Sequence, residues 1–188
     1  MERSLKPTCS FCRCPAPRSR EESDMNKMKR IEVNDPDAVR EEGKQRHEEG
    51  DYDGAFAYFS KAAELGDLEA HYILSLLYQE GQGVEKDYKK ELHHLEEAAI
   101  GGHPLARHNL GCHEVQGGRH DRAVKHFSIA AKLGHDVSMK KLHAFYRAGY
   151  ISKEDFASAL RGHQAAVDAT KSPQREAAEA AMRRRNVA

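Results

Sequence analysis

The sequence predicts an all-α protein, an α-solenoid of about four stacked antiparallel helix pairs with a C-terminal capping helix. Three observations predict it. The pairs Ala62-Ala63, Ala98-Ala99 and Ala130-Ala131 are each followed three residues later by a glycine, Gly66, Gly102 and Gly134, at offsets of 36 and 32 residues. Ala70, Ala106 and Ser138 stand four residues after those glycines, and Leu74, Leu110 and Leu142 four residues later still. A second helix then keeps its own register: Ala55, Phe56, Phe59, Ala62 and Ala63 recur from Glu91, from Ala123 and from Ala159, and 18 of the 20 positions are apolar, with Glu91 and His163 as the exceptions. Their offsets of 0, 1, 4, 7 and 8 mark one face of an α-helix, and self-similarity at such a period marks stacked helical units.

Composition agrees with a thin core. The 188 residues carry 30 Lys+Arg against 30 Asp+Glu, 39% are hydrophobic, mean hydropathy is −0.81, tryptophan is absent, and 25 residues are alanine. Small residues let helices approach closely. Zero net charge excludes a nucleic-acid or anionic-membrane binder that works through a surplus of cations. The sequence has no apolar run of membrane-spanning length and no secretory signal, which predicts an intracellular protein, cytoplasmic or nuclear.

Residues 1–18 hold Cys9-Ser10-Phe11-Cys12-Arg13-Cys14-Pro15. A C-x-x-C turn brings two thiolates within reach of one tetrahedral ion, so Cys9 and Cys12 are candidate zinc ligands of an incomplete site, the alternative being an idle tail. Residues 19–35 are a charged linker. Ser19-Arg20-Glu21-Glu22 has capping-box form and predicts a short helix with a narrow stripe of Met25, Met28 and Ile31. Asn34-Asp35-Pro36 opens the repeats, which run over 36–168. The first unit has a nearly all-polar first helix, with Glu42 where the others have leucine. The turn between first and second helices alternates in length: Leu110 to Ala123 is 13 residues, whereas Leu74 to Glu91 and Leu142 to Ala159 are 17. Over 169–188, Ser172-Pro173 starts a capping helix carrying Ala177, Ala178, Ala181 and Met182, followed by Arg183-Arg184-Arg185.

The segment Ala70–Gly102, with Leu74, Tyr78, Gly81, Gly83-Val84, Asp87, Leu92, Leu95, Ala98-Ala99 and Gly102, resembles a Sel-1-like repeat. The shorter-turn first and third units look more like tetratricopeptide repeats. Both resemblances imply helix pairs stacked in a right-handed superhelix. The string Cys9-x-x-Cys12-Arg13-x-Pro15 resembles the closing end of a RING zinc finger, a domain that precedes Sel-1-like repeats in some proteins. The other six ligands of such a finger would have to lie before Met1, so these residues imply no ubiquitin-ligase activity of their own.

The 12 histidines are scattered. His93-His94 and the pair His108 and Cys112, one helical turn apart, are the best metal candidates, but Cys112 sits at the repeat position of Leu76 and packing is the favoured reading. His163 reads as a packed core histidine. In tetratricopeptide-like arrays the first helices line a concave groove. That geometry gives Asp37, Arg40, Lys44 and His47; Glu69, Tyr72, Leu76 and Gln79; Leu105, His108, Cys112 and Val115; Val137, Lys140, Ala144 and Arg147. Within this wall, Tyr72, Leu76, Gln79, His108, Cys112, Lys140 and Arg147 are the candidate partner-binding residues. Phosphate-loop, nucleophile-elbow and zinc-helix motifs are absent. The sequence therefore predicts a non-enzymatic adaptor for a protein or peptide, with no cofactor for the repeats and zinc as the only candidate, at the N-terminal cysteines. The alternative is the substrate-binding portion of a RING ubiquitin ligase. Nucleic-acid binding through Arg183-Arg184-Arg185 is a weak reading, and the oligomeric state is not encoded in any motif.

Overall fold

The computed structural model describes residues 19–171, and among these it contains nine α-helices and no strand. They are α1 (Arg20–Glu32), α2 (Pro36–Glu48), α3 (Tyr52–Glu64), α4 (Leu68–Glu80), α5 (Tyr88–Ile100), α6 (Pro104–Gln116), α7 (His120–Lys132), α8 (Asp136–Arg147) and α9 (Lys153–Ala169). Helices α2 to α9 form the four predicted pairs. No helix among the described residues is long and apolar enough to cross a membrane. Cys9, Cys12, the predicted capping helix and Arg183 to Arg185 lie outside the described residues. The described residues divide into two compact units, with the boundary between Ala70 and His71, within α4.

The same junction ends most helices. At the end of α3, Gly66 N–H donates to Ala63 O (2.9 Å) and Asp67 N–H to Ala62 O (3.0 Å), with Gly66 at φ +88°. This is a Schellman closure, and the left-handed position strongly favours glycine because a Cβ there meets the backbone. It recurs at Gly102 (φ +95°) and Gly134 (φ +89°), where His103 N–H reaches Ala98 O and His135 N–H reaches Ala130 O. The residue that completes each closure is also the N-cap of the next helix. Asp67 Oδ1 accepts from Ala70 N–H (2.7 Å), His103 Nδ1 from Ala106 N–H (3.2 Å) and His135 Nδ1 from Ser138 N–H (3.3 Å).

In the first unit, the core is Ala38, Val39, Ala55, Phe59 and Ala62, all at most 1% exposed. The polar α2 is stable because its anomalous Glu42 has partners: Lys27 Nζ of α1 lies 2.8 Å from Glu42 and donates to Gln45 at 2.5 Å, while Arg46 lies 3.3 Å from Glu42. Helix α1 docks through Lys27 and the buried Ile31; of the expected stripe of Met25, Met28 and Ile31, the two methionines stay 56% and 46% exposed and Ile31 alone is buried. In the second unit, Leu95, Ala98, Ala99, Ala106 and Leu110 form one cluster. Phe127, Met139, Leu142, Ile151 and Ala159 belong to another. The two polar exceptions on the second-helix face are both held: Glu91 Oε1 is 3.0 Å from His113 Nε2, and His163 has Ala131 O at 3.0 Å and Asp136 at 3.1 Å.

One pairing sets helix separation within a repeat. A Cβ added to Gly43 would meet the Phe59 ring at 2.9 Å, and one added to Gly111 would meet Phe127 at 2.6 Å. At the corresponding positions α4 and α5 carry Ser75 and Leu95, a larger residue opposite a smaller one. Gly111→Ser should therefore cost about 1–3 kcal/mol by overpacking, and Phe127→Leu should also destabilise. The double variant, which copies the Ser75 and Leu95 combination, should lose at least about 1 kcal/mol less than the sum. Urea unfolding of the four proteins measures this, and additive losses would show that the ring and the glycine are uncoupled.

Candidate functional site: the first-helix wall and an arginine-lined cleft

All seven candidate partner-binding residues lie in the second unit, on α4, α6 and α8. They divide into two groups. Gln79, Lys140 and Arg147 are exposed, whereas Tyr72, Leu76, His108 and Cys112 are half-buried. Tyr72 stacks on His103 with ring centroids 4.7 Å apart and packs against the Leu95 cluster. Cys112 packs against the Phe127 cluster. Beside them on the wall, Leu105 and Val137 occupy equivalent repeat positions on α6 and α8 and are 39% and 47% exposed.

His108 heads a hydrogen-bond chain whose direction can be worked out. His135 Nδ1 accepts the Ser138 N–H as helix cap, so it carries no proton, and the Ser138 hydroxyl donates to it at 2.9 Å. Ser138 Oγ then accepts from His108 Nδ1–H at 2.8 Å. That fixes the other tautomeric site: His108 Nε2 is unprotonated and faces Cys112 Sγ at 3.6 Å, as acceptor of a weak S–H hydrogen bond. Burial raises the Cys112 thiol above its ordinary value and lowers His108. Both effects favour a neutral pair, the opposite of a thiolate activated for attack or metal binding.

The chain belongs to a repeated contact. The same wall position holds Arg40, Tyr72 and His108, and each touches the cap of the next first helix: Arg40 forms an ion pair with Asp67, Tyr72 stacks on His103, and His108 reaches His135 through Ser138. Wall residues that looked free for a ligand are thus partly consumed in joining repeats. The second metal candidate also turns inward at one member. His93 is exposed, but His94 Nδ1 lies 3.0 Å from His71 Nδ1 and its ring stacks on Tyr78. Among the described residues there is no group of three or more His, Cys, Asp or Glu side chains able to hold a metal ion.

The sequence reading missed a cleft of about 360 Å³ between α5, α6 and α7. Leu92, Ala99 and Leu110 give it an apolar floor; Arg107, Arg119, Arg122 and His126, with Glu96 and Glu114, give it a charged rim. Both Glu114 oxygens are engaged, Oε1 by Arg122 at 3.0 Å and Oε2 by Arg119. Arg107 Nε and His126 Nδ1 are buried with no hydrogen-bond partner among the described residues. On α6 the cleft residues 107, 110, 113 and 114 lie opposite the wall residues 105, 108, 112 and 115, by helical periodicity. The available signal was Arg119, Arg122 and His126 at offsets of 0, 3 and 7, a basic stripe along one helical face.

Burial gives this unit a pH signature. His94 is lowered from 6.5 to about 4, first by burial and then by the charges of His71, His93 and Lys90. His108, His126 and His135 are also lowered, each chiefly by burial. Between those values and the ordinary 6.5 the folded state binds fewer protons than the unfolded chain, so stability is complete above pH 6.5 and declines as pH falls toward 4. The urea midpoint should drop from about pH 7 to about pH 5, and His94→Phe should flatten part of that slope. A midpoint constant over this interval would show the imidazoles to be solvated.

The Sel1 repeat family model matches residues 41–67, 68–103 and 104–135, half of the chain. The shorter-turn units that look tetratricopeptide-like in sequence fall under the same model as the longer one. The chitin synthase regulator SKT5 of Saccharomyces cerevisiae is 36% identical over 63 residues, 34% of this chain and 9% of that protein. Among solved structures, a Sel1 repeat protein from Oxalobacter formigenes superposes with TM-score 0.65 at 26% identity, covering 80% of this chain and 64% of its own. The protective antigen c5321 of uropathogenic Escherichia coli, which displays an SLR fold, gives 0.62 at 28% identity, covering 78% of this chain and 33% of its own. The chain thus spans less than two thirds of the length of each of these relatives. Helix-pair architecture, the glycine-terminated junctions and the family match agree, and the chain belongs to the Sel1 repeat family.

Proposed function

We propose that the chain is a protein-interaction adaptor, non-enzymatic, that holds a partner protein or peptide on the first-helix wall of its second unit. The observation that carries this reading is the juxtaposition, on successive first helices, of apolar and cationic exposed positions in one repeat register: Leu105 on α6 with Val137, Lys140, Ala144 and Arg147 on α8. Exposed apolar groups at matched positions supply anchors, and Lys140 and Arg147 steer an acidic segment. Gln79 and the accessible edges of Tyr72, Leu76, His108 and Cys112 complete the contact. A regulator of another protein among the relatives is in keeping with an adaptor, though its likeness covers only a small part of that regulator.

Tyr72 and His108 are poor probes because they also join repeats. Leu105→Glu combined with Lys140→Glu changes only exposed side chains. Affinity capture with the wild type, followed by titration of the recovered partner in purified form, should show at least about tenfold weaker binding to the double variant. Equal affinity of the two proteins would remove the wall from the proposal.

A further inference from the structure

The cleft between α5, α6 and α7 brings together two buried polar nitrogens that have nothing to bond among the described residues. Arg107 Nε and His126 Nδ1 are both inaccessible and unpartnered among the described residues, and both residues line the cleft. Leaving a buried donor unpaired costs roughly 1–3 kcal/mol, so native structures do so rarely and often where a further group binds. The charges around the cleft say what kind of group. Glu114 is fully engaged by Arg119 and Arg122. The rim therefore holds three arginines against two carboxylates, those of Glu96 and Glu114, and Arg107 is left as the cation whose Nε edge has no partner among the described residues. That edge, Nε with one terminal nitrogen, is a two-donor fork matched to a carboxylate. Leu92, Ala99 and Leu110 beneath it suit an apolar side chain.

We propose that this cleft is a second binding site, one that takes a carboxylate carried beside an apolar side chain on a partner peptide, with Arg107 as its principal anchor. A small rotation of the guanidinium toward the cleft brings Nε and one terminal nitrogen to the two carboxylate oxygens, with His126 lining the same cleft. The carboxylate comes from an acidic side chain or from a chain terminus. The site rests on the adaptor reading only in drawing its ligand from a protein, and it lies on the face of α6 opposite the wall.

The test uses the full chain and three peptide probes: N-acetyl-Leu-Glu-Leu-amide, its Gln counterpart, and N-acetyl-Leu-Leu with a free carboxyl end. The arginine Nε–H signals in proton–nitrogen correlation spectra report binding, and Arg107→Gln identifies the relevant signal. Saturable movement of the Arg107 signal by either carboxylate peptide is expected, with binding at least about tenfold weaker for the Gln peptide and for Arg107→Gln. Whichever carboxylate peptide binds names the source. Arg107→Lys, which keeps the charge and loses the fork, serves the same comparison if Arg107→Gln does not fold. No saturable shift with either carboxylate peptide, equal binding of the Gln peptide, or unchanged binding to the Arg107 variants would overturn the proposal. The wall variants Leu105→Glu and Lys140→Glu leave this readout untouched, so failure of the cleft and failure of the adaptor reading are separable.

Discussion

The joint between consecutive helices is the constraint on which the rest of this structure depends. One glycine in the left-handed region stops a helix, and the next residue both completes the closure and caps the following helix. At Gly66-Asp67, Gly102-His103 and Gly134-His135 two residues therefore satisfy backbone groups at two helix ends. Helix ends normally leave four such groups unpaired each. A connection this short leaves the chain little freedom, so each joint restricts the angle between the two helices it links. The thin core then needs only to fill the space the joints define. Alanines at the contact, with Phe59 and Phe127 lying against glycine, fill it at close range.

The cap residue has a further duty. Because it projects at the start of a first helix, it stands beside the wall residue of the preceding first helix, and the pairs Arg40 with Asp67, Tyr72 with His103, and His108 with His135 occupy the same place with different chemistry. An ion pair, a stacked pair and a hydrogen-bonded relay are interchangeable there because each gives the cap residue a partner and fills a similar volume. The relay also explains Ser138, a hydroxyl that is fully buried where Ala70 and Ala106 are the equivalents. A serine in that place would be an orphan without two flanking imidazoles.

Much of the fold was legible because helical register and glycine spacing are local properties. The Ala-Ala pairs, Leu74, Leu110 and Leu142 report their own environment through periodicity alone. The apparent defect at Glu42 was legible as a departure but not as a solution, since its partner Lys27 comes from a helix that precedes the repeats. The candidate wall was legible as a set of positions. Which members remain exposed was not: the partner of Arg40 is 27 residues away, a contact fixed by the rotation between successive helices and not by any local pattern. The cleft was hidden for a similar reason, each of three helices contributing a few residues that look ordinary alone.

These two faces place different demands on the same helix. On α6, the residues facing α8 must complete a hydrogen-bond chain, while those on the opposite side leave Arg107 without a partner. A stable scaffold gains from satisfying buried polar groups, and this one pairs the backbone groups at its joints with economy, even recruiting histidine as a helix cap. Unsatisfied nitrogen on the other face is therefore not a general looseness of the fold. Among the described residues the unpartnered buried nitrogens are Arg40 Nε on the wall, and Arg107 Nε, His120 Nδ1 and His126 Nδ1 elsewhere. Two of the four meet at one cleft, beside an apolar floor and three arginines. The repeat joints pair backbone groups at both of the helix ends they link, and the nitrogens of Arg107 and His126 are polar groups that those joints do not serve.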